Sequence, residues 1–291
     1  MGGYAIVTDS TCNLGDEVVA ANGLDMIPLN VHWGDDTYKD GVTLSAARFY
    51  EMLPQRSAFP KTSQPSAGEF IEFFQDVAER KQVNTILAIH ISSDLSGTVA
   101  SAMQAKSALS ETRPDLRIEV VDSRSVSLGL GVQVLVAARA LAAGKSLEET
   151  MALREQCYDS LDVVFAVDTL EYLHRGGRIG GAARLLGSAL RMKPVLEVRE
   201  GRIESVEKVR SRKKSLRRLI EIAGERWEGR TPTEVAIMQA EVDEELPAFT
   251  RALEEKLGCA VSITQPLSPV VGTHGGPGTI GIVVYALDEV L

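Results

Sequence analysis

Cysteine is scarce in this sequence. Cys12, Cys157 and Cys259 are the only three in 291 residues, far apart and odd in number. They fit a reducing compartment better than a disulfide framework, so a cytoplasmic protein is expected. Aromatic residues are few, at 5%. Long apolar runs are absent: the most apolar stretch, residues 132–143, is interrupted by Arg139 and is too short to span a bilayer. The segment Met1-Gly2-Gly3-Tyr4-Ala5-Ile6 has no basic region and no long apolar run, so no secretory signal is expected. It lacks the Ser or Thr at position 6 that a myristoylation site needs. Positive charge is also in deficit: the net charge is −9 and the pI about 5.1. A chain of that sign repels phosphate backbones, which disfavours bulk nucleic-acid binding.

Several enzyme signatures are missing as well. Gly144-Lys145-Ser146 resembles the end of a phosphate-binding loop, but position 139 is Arg rather than Gly, and a helical pattern precedes it. Gly129-Leu130-Gly131 lacks the third glycine of a dinucleotide loop. Asp9-Ser10-Thr11 has no second carboxylate where a phospho-aspartate site wants one. No Gly-x-Ser-x-Gly elbow is present. His32, His90, His174 and His274 are scattered, so no metal site is expected from spacing.

What the sequence does contain is apolar material for a large core, 44% of residues, and enough length for two domains. Up to about Ser160, β-rich runs (4–8, 26–33, 85–91, 118–121) alternate with helical patterns (46–53, 67–80, 98–110, 126–143). Alternation of that kind predicts a mostly parallel sheet with helices on both faces. Ser66-Ala67-Gly68-Glu69 and Ser146-Leu147-Glu148-Glu149 have the spacing of capping boxes. Beyond that point the rhythm changes. Residues 163–167 are an expected strand, 194–198 and 203–209 a hairpin around Glu200-Gly201, and 213–227 a basic helix. Strand 234–239, helix 245–257, strand 260–264 and strand 280–286 follow. The fold class expected is therefore α/β and two-lobed: an N-terminal α/β lobe over 1–160 and a C-terminal α+β sandwich over 161–291.

Five loops rich in hydroxyls or glycine fall where elements end. They are Thr62-Ser63-Gln64-Pro65-Ser66; Ser92-Ser93-Asp94-Leu95-Ser96-Gly97-Thr98; Asp122-Ser123; Arg175-Gly176-Gly177-Arg178-Ile179-Gly180-Gly181; and Gly272-Thr273-His274-Gly275-Gly276-Pro277-Gly278. In open α/β sheets ligands bind beyond the carboxyl ends of strands, and helix N-termini favour anions. Each residue also has an ordinary alternative. Ser66, Thr62 and Ser96 can be helix caps, Asp9 a turn residue, the arginines surface ion-pair partners and His274 a structural histidine.

Taken in order along the chain, these segments resemble the DegV family. Those that carry the resemblance are Thr8-Asp9-Ser10-Thr11, Tyr38-Lys39-Asp40-Gly41, Thr62-Ser63-Gln64-Pro65-Ser66, Ser93-Asp94-Leu95-Ser96-Gly97-Thr98, Val121-Asp122-Ser123, Leu173-His174-Arg175-Gly176-Gly177-Arg178-Ile179, Lys193-Pro194 and 272–278. The resemblance implies a lipid tunnel between or beneath two lobes and a bound long-chain fatty acid such as palmitate or oleate. It implies a non-catalytic subunit without cofactor, which presents the acyl chain to a separate ATP-dependent fatty acid kinase for phospholipid synthesis. It also implies that Thr62 and Ser96 bind the carboxylate and that Arg175 and His274 complete the polar shell, supported by Asp9, Ser63, Ser93, Gly97 and Gly275. His174 stands where the family pattern leads one to look for Lys or Arg. An enzymatic alternative uses Ser96 as nucleophile and His274 as base for acyl transfer or hydrolysis; a lipid-sensing regulator is the third reading.

The physics of such a ligand is workable. Some 14 buried methylenes give on the order of 11 kcal/mol gross at ~0.8 each, much of it offset by lost freedom. The tail needs only apolar walls, for which Phe70, Phe73, Leu128, Val132, Leu170, Leu185 and Leu186 are candidates. The basic run Lys208, Arg210, Arg212, Lys213, Lys214, Arg217 and Arg218 contrasts with the acidic total. It is either a solvated helix face or a docking surface for the kinase or, transiently, for an anionic membrane.

Overall fold

The computed structural model describes residues 3–188 and 192–288. Along the chain run strand β1 (Ala5–Asp9), helix α1 (Asp16–Ala21), strands β2 (Asp25–Ile27), β3 (Asn30–Trp33) and β4 (Asp36–Lys39), and helix α2 (Ala46–Met52). Then come β5 (Lys61–Ser63), α3 (Ala67–Lys81), β6 (Thr85–His90), α4 (Thr98–Thr112), β7 (Arg117–Asp122), α5 (Leu128–Ala142) and α6 (Leu147–Ser160). The remainder is β8 (Asp162–Ala166), α7 (Glu171–Arg175), β9 (Val195–Arg199), β10 (Arg202–Glu207), α8 (Arg212–Arg226), β11 (Glu234–Gln239), α9 (Leu246–Leu257), β12 (Val261–Pro266), α10 (Pro269–Gly275) and β13 (Ile280–Tyr285).

The first sheet, β2-β1-β6-β7, is entirely parallel. Alternation along its strands sorts side chains to two faces. Ala5, Val7, Ile86, Ala88 and Ile118 meet Phe70, Phe74 and Val77 of α3 and Ala102, Ala105 and Leu109 of α4. Ile6, Leu87 and Ile89 meet the apolar helix α5. Both expected capping boxes are formed, Ser66 with Glu69 and Ser146 with Glu149. The α/β class and the parallel sheet covered on both faces are thus as expected. One expectation fails locally: residues 26–33 are not a single strand. Pro28 separates β2, which joins the parallel sheet, from β3, which builds a small antiparallel sheet β4-β3-β5.

The second large sheet is mixed, in the order β10-β9-β8-β13-β11-β12. Only β11 and β12 are parallel. One face carries Val164, Ala166, Ile237, Ile280 and Ile282 against Leu219 and Ile222 of α8, Trp227 just after it, and Phe249 and Leu253 of α9. The other carries Val163, Phe165, Met238 and Val283, which join the same core as α5 and the parallel sheet. That shared core positions the site, since it brings the face of the mixed sheet to the carboxyl ends of the parallel strands. Among the described residues no helix is long and apolar enough to cross a membrane.

Candidate functional site

A cavity of about 790 Å³, counting its mouth, opens where the loops after β1, β5 and β6 meet α10 and the mixed sheet. Its walls are mainly apolar: Leu29, Ile91, Leu95, Val126, Leu173, Leu267, Val270 and Val271 above, Phe165, Val198, Ile203 and Met238 on the sheet. None of Phe70, Phe73, Leu128, Val132, Leu170, Leu185 and Leu186 belongs to the wall. Phe70 packs between α3 and the far face of the parallel sheet, with Phe73 beside it. The other five pack in or against the central core.

The polar lining is concentrated in a few side chains. Thr62 lies in β5, opposite Val31 of β3, and its Oγ1 is 2.8 Å from His274 Nε2. His274 is carried by α10, whose first turn is well determined. Pro269 begins it, Ser268 caps it by accepting from the Val271 amide, and buried Asp40 accepts from Ser268 Oγ (3.0 Å) and the Val270 amide (3.2 Å). Burial pushes the Asp40 carboxyl up to about 7, against the opposing effect of its hydroxyl and amide donors. Burial, with the nearby Arg178 charge as a smaller cause, pulls His274 down to about 4, so the imidazole is neutral at pH 7. Its Nδ1 is buried without a hydrogen-bond partner and faces Gly176, where a Cβ would collide with it.

Ser96 lies just before α4. Its Oγ is 2.8 Å from Thr98 Oγ1. The Gln64 side chain packs over Gly97, at a distance that leaves no room for a side chain there, so the 62–64 and 96–97 segments abut. Ser63 lines the cavity and bonds His32 Nε2 (2.8 Å) and Asn30 Nδ2 (3.2 Å); Gly275 lines it as well.

The remaining expected residues sit differently. Arg175 is exposed at the end of α7, ion-paired to Glu171 at 2.6 Å and stacked over the Phe59 ring, and it does not line the cavity. The cation in the wall is Arg178, fixed by its Nε to the Leu95 carbonyl (3.0 Å) and by its Nη1 to the Gly176 carbonyl (2.6 Å). Ser93 is exposed and bonded to Asp122, outside the wall. Asp9 is fully buried behind the wall. It accepts from Thr11 N, Thr11 Oγ1, Ile91 N and His90 Nδ1, and so fixes two lining residues rather than lining the cavity itself.

Sequence reasoning missed Thr11, Ser127, Thr279 and Gln64 in the wall. Ser127 caps α5 with φ +56°, a conformation that L residues seldom adopt, and its buried Oγ has no partner. Thr11 and Gln64 carried a signal, since both lie in segments that the sequence singles out, Thr8-Asp9-Ser10-Thr11 and Thr62-Ser63-Gln64-Pro65-Ser66. Among the described residues no group of three or more His, Cys, Asp or Glu could hold a metal ion. Ser96 and His274 do not pair: the imidazole is engaged by Thr62 and has no carboxylate on its other nitrogen.

Comparison with known proteins gives a consistent result. The family profile for the uncharacterised DegV family proteins matches residues 4–287. A DegV domain-containing protein of Deinococcus radiodurans is 39% identical over 284 residues, 98% of this chain and 99% of that one. The fold is similar to that of a fatty-acid-binding DegV family protein of Thermus thermophilus (TM-score 0.89, 34% identity, 99% and 100% of the two chains). It is equally close to DegV of Bacillus subtilis, described as a fatty acid binding protein (TM-score 0.88, 31% identity, 98% and 100%). A stearic-acid-binding protein of Eubacterium ventriosum superposes with a TM-score of 0.90 at 28% identity over 97% and 98% of the chains. The chain belongs to the DegV family.

Proposed function

We propose that this protein binds a long-chain fatty acid, with the carboxylate at the Thr62–Ser96–His274–Arg178 corner and the tail along the apolar wall. The observation that carries the reading is the contrast within one cavity: a predominantly apolar lining with a hydroxyl, a neutral imidazole and a guanidinium gathered together. A fatty acid is ionised at pH 7. Burying its charge unpaired costs several kcal/mol, so donors and a cation have to be supplied. Arg178 supplies the cation. Thr62 supplies a donor when the imidazole is in its Nε2–H tautomer. When Nε2 carries the proton it donates to Thr62 Oγ1, and the threonine hydroxyl hydrogen is left for the ligand. Nδ1 then needs no acceptor, in keeping with its partnerless position against Gly176. The solved relatives described as fatty-acid-binding and stearic-acid-binding support the same ligand class.

The site is read as non-catalytic. A serine hydrolase would need the imidazole on Ser96 and a group to orient it, whereas His274 is bonded to Thr62 and Ser96 to Thr98. The pathway part of the proposal is that the bound acid is presented to a separate ATP-dependent kinase, which phosphorylates the carboxylate. The surface for that partner, or for an anionic membrane, is the segment 208–218. There Arg212, Arg217 and Arg218 are spent on Glu245, Glu221 and Glu207, while Lys213 and Lys214 at the start of α8 are exposed.

Native mass spectrometry of the purified protein, followed by organic extraction, tests the binding claim. A non-covalent adduct in the fatty-acid mass range, released by solvent, is expected. A polar metabolite in its place, or an acyl group that survives extraction, would overturn it.

A further inference from the structure

We propose that Gly281 and Met238 together set how deep an acyl tail can run in this cavity, and hence the chain length the protein prefers. The inference rests on the fatty-acid reading above and adds to it a specificity determinant.

The sheet register supplies the geometry. Gly281 of β13 lies opposite Met238 of β11 on one side and Phe165 of β8 on the other. The three residues form one row across the face that looks into the cavity, and the two flanking side chains line it. Two residues earlier on the same face stands Thr279, which lines the cavity and bonds the Gly275 carbonyl next to His274. Two residues later stands Val283, opposite Val163. Helix α5 closes that third row, because Gly129 rides directly on Val163. Rows of this kind are roughly 7 Å apart. The Gly281 row is thus the last open step between the polar corner and the helix that blocks the way.

Glycine inside a strand weakens it and marks close approach of something else. Here the approaching group is Met238. A Cβ on residue 281 would collide with the Met238 methyl and would lie 3.0 Å from Met238 Cγ and 3.0 Å from Phe165 Cβ. The thioether therefore lies over the bare backbone of Gly281. With any side chain at 281 the unbranched, flexible methionine has to swing off the strand, and the cavity is the open space beside it. Met238 acts as a movable floor held down by the absence of a side chain next to it.

The test is competition binding of myristate (14 carbons) and stearate (18 carbons) to the wild-type chain, Gly281→Ala, Met238→Ala and the double variant. Loss of about two buried methylenes is on the order of a ten-fold loss in affinity. Gly281→Ala is expected to lower the stearate-to-myristate affinity ratio by about that factor. Met238→Ala is expected to raise it, and the double variant to match Met238→Ala within a few-fold, since no thioether is left to displace. A ratio unchanged in both single variants would overturn the proposal. So would a double variant as impaired as Gly281→Ala. If Gly281→Ala does not fold, Met238→Ala decides alone, by a raised or an unchanged ratio. Failure of the wild-type chain to bind either acid would instead overturn the underlying fatty-acid reading, a result separable from all of these.

Discussion

Thr62 Oγ1 and His274 Nε2 lie 2.8 Å apart although 212 residues separate them in the chain. The contact joins a three-residue strand of the small sheet to the helix before the last strand, at the polar corner of the cavity. On the proposed fatty-acid reading the imidazole positions the threonine hydroxyl. His274→Gln, whose amide can donate from a similar place, should retain fatty-acid affinity within a few-fold. His274→Ala and Thr62→Val should each lose about 1–3 kcal/mol, or roughly ten- to a hundred-fold, in a fluorescent fatty-acid displacement assay. Equal losses for Gln and Ala would contradict the role.

Of the two arginines flanking Gly176-Gly177, the structure puts one at the cavity. Arg178→Ala removes the cation next to the buried carboxylate and should weaken binding by at least ten-fold, measured by calorimetry. Arg175→Ala loses an exposed ion pair with Glu171 and a stacking contact on Phe59, and should change affinity less than two-fold. The reverse order would return the carboxylate to Arg175.

Asp40 ties the small sheet to the start of α10, and its pKa is raised from the ordinary carboxyl value to about 7. A raised pKa means that the folded chain favours the protonated form. The associated stability is fully present below about pH 4 and is lost as pH rises through about 7. Urea denaturation from pH 4.5 to 8 should show the wild-type chain losing stability relative to Asp40→Asn as pH rises. Parallel curves would mean that Asp40 is ionised throughout.

The basic segment gives a prediction about partners. Lys213 and Lys214 sit in the first turn of α8, where positive charge is disfavoured by the helix dipole, so their presence there is not explained by stability. Reversing both to Glu should reduce acyl-phosphate formation by an ATP-dependent fatty acid kinase at least ten-fold and leave fatty-acid affinity unchanged. An unaltered rate would remove this surface from the docking account.

The scaffold was legible where periodicity is strong. The parallel sheet, the long helices α3, α4 and α5, both capping boxes and the hairpin β9–β10 follow from spacing that local physics enforces. Short elements were not: β5 has three residues, too few to show an alternation, yet it carries Thr62. The segments containing Thr62, Ser96, His274 and Gly275 were recognisable because hydroxyls and glycines at element ends are chemically distinctive, although Thr62 proves to lie in β5 and His274 and Gly275 in α10 rather than in loops. The choice between Arg175 and Arg178 was not, since both flank the same glycines. Only the direction in which α7 ends sends one to solvent and the other to the Leu95 carbonyl. The apolar cavity wall was illegible for a different reason. Phe165, Val198, Ile203 and Met238 are ordinary strand residues in sequence, and only the pairing of β8, β9, β10 and β11 brings them to one surface.

The most direct test of the account is carbon-13 NMR of carboxyl-labelled palmitate bound to the wild-type chain and to Thr62→Val. The account predicts one carboxyl resonance in slow exchange, still ionised well below the pH at which free fatty acid protonates, and displaced when the Thr62 hydroxyl is removed. A carboxyl signal that titrates as it does in solution and is unaffected by Thr62→Val would contradict it.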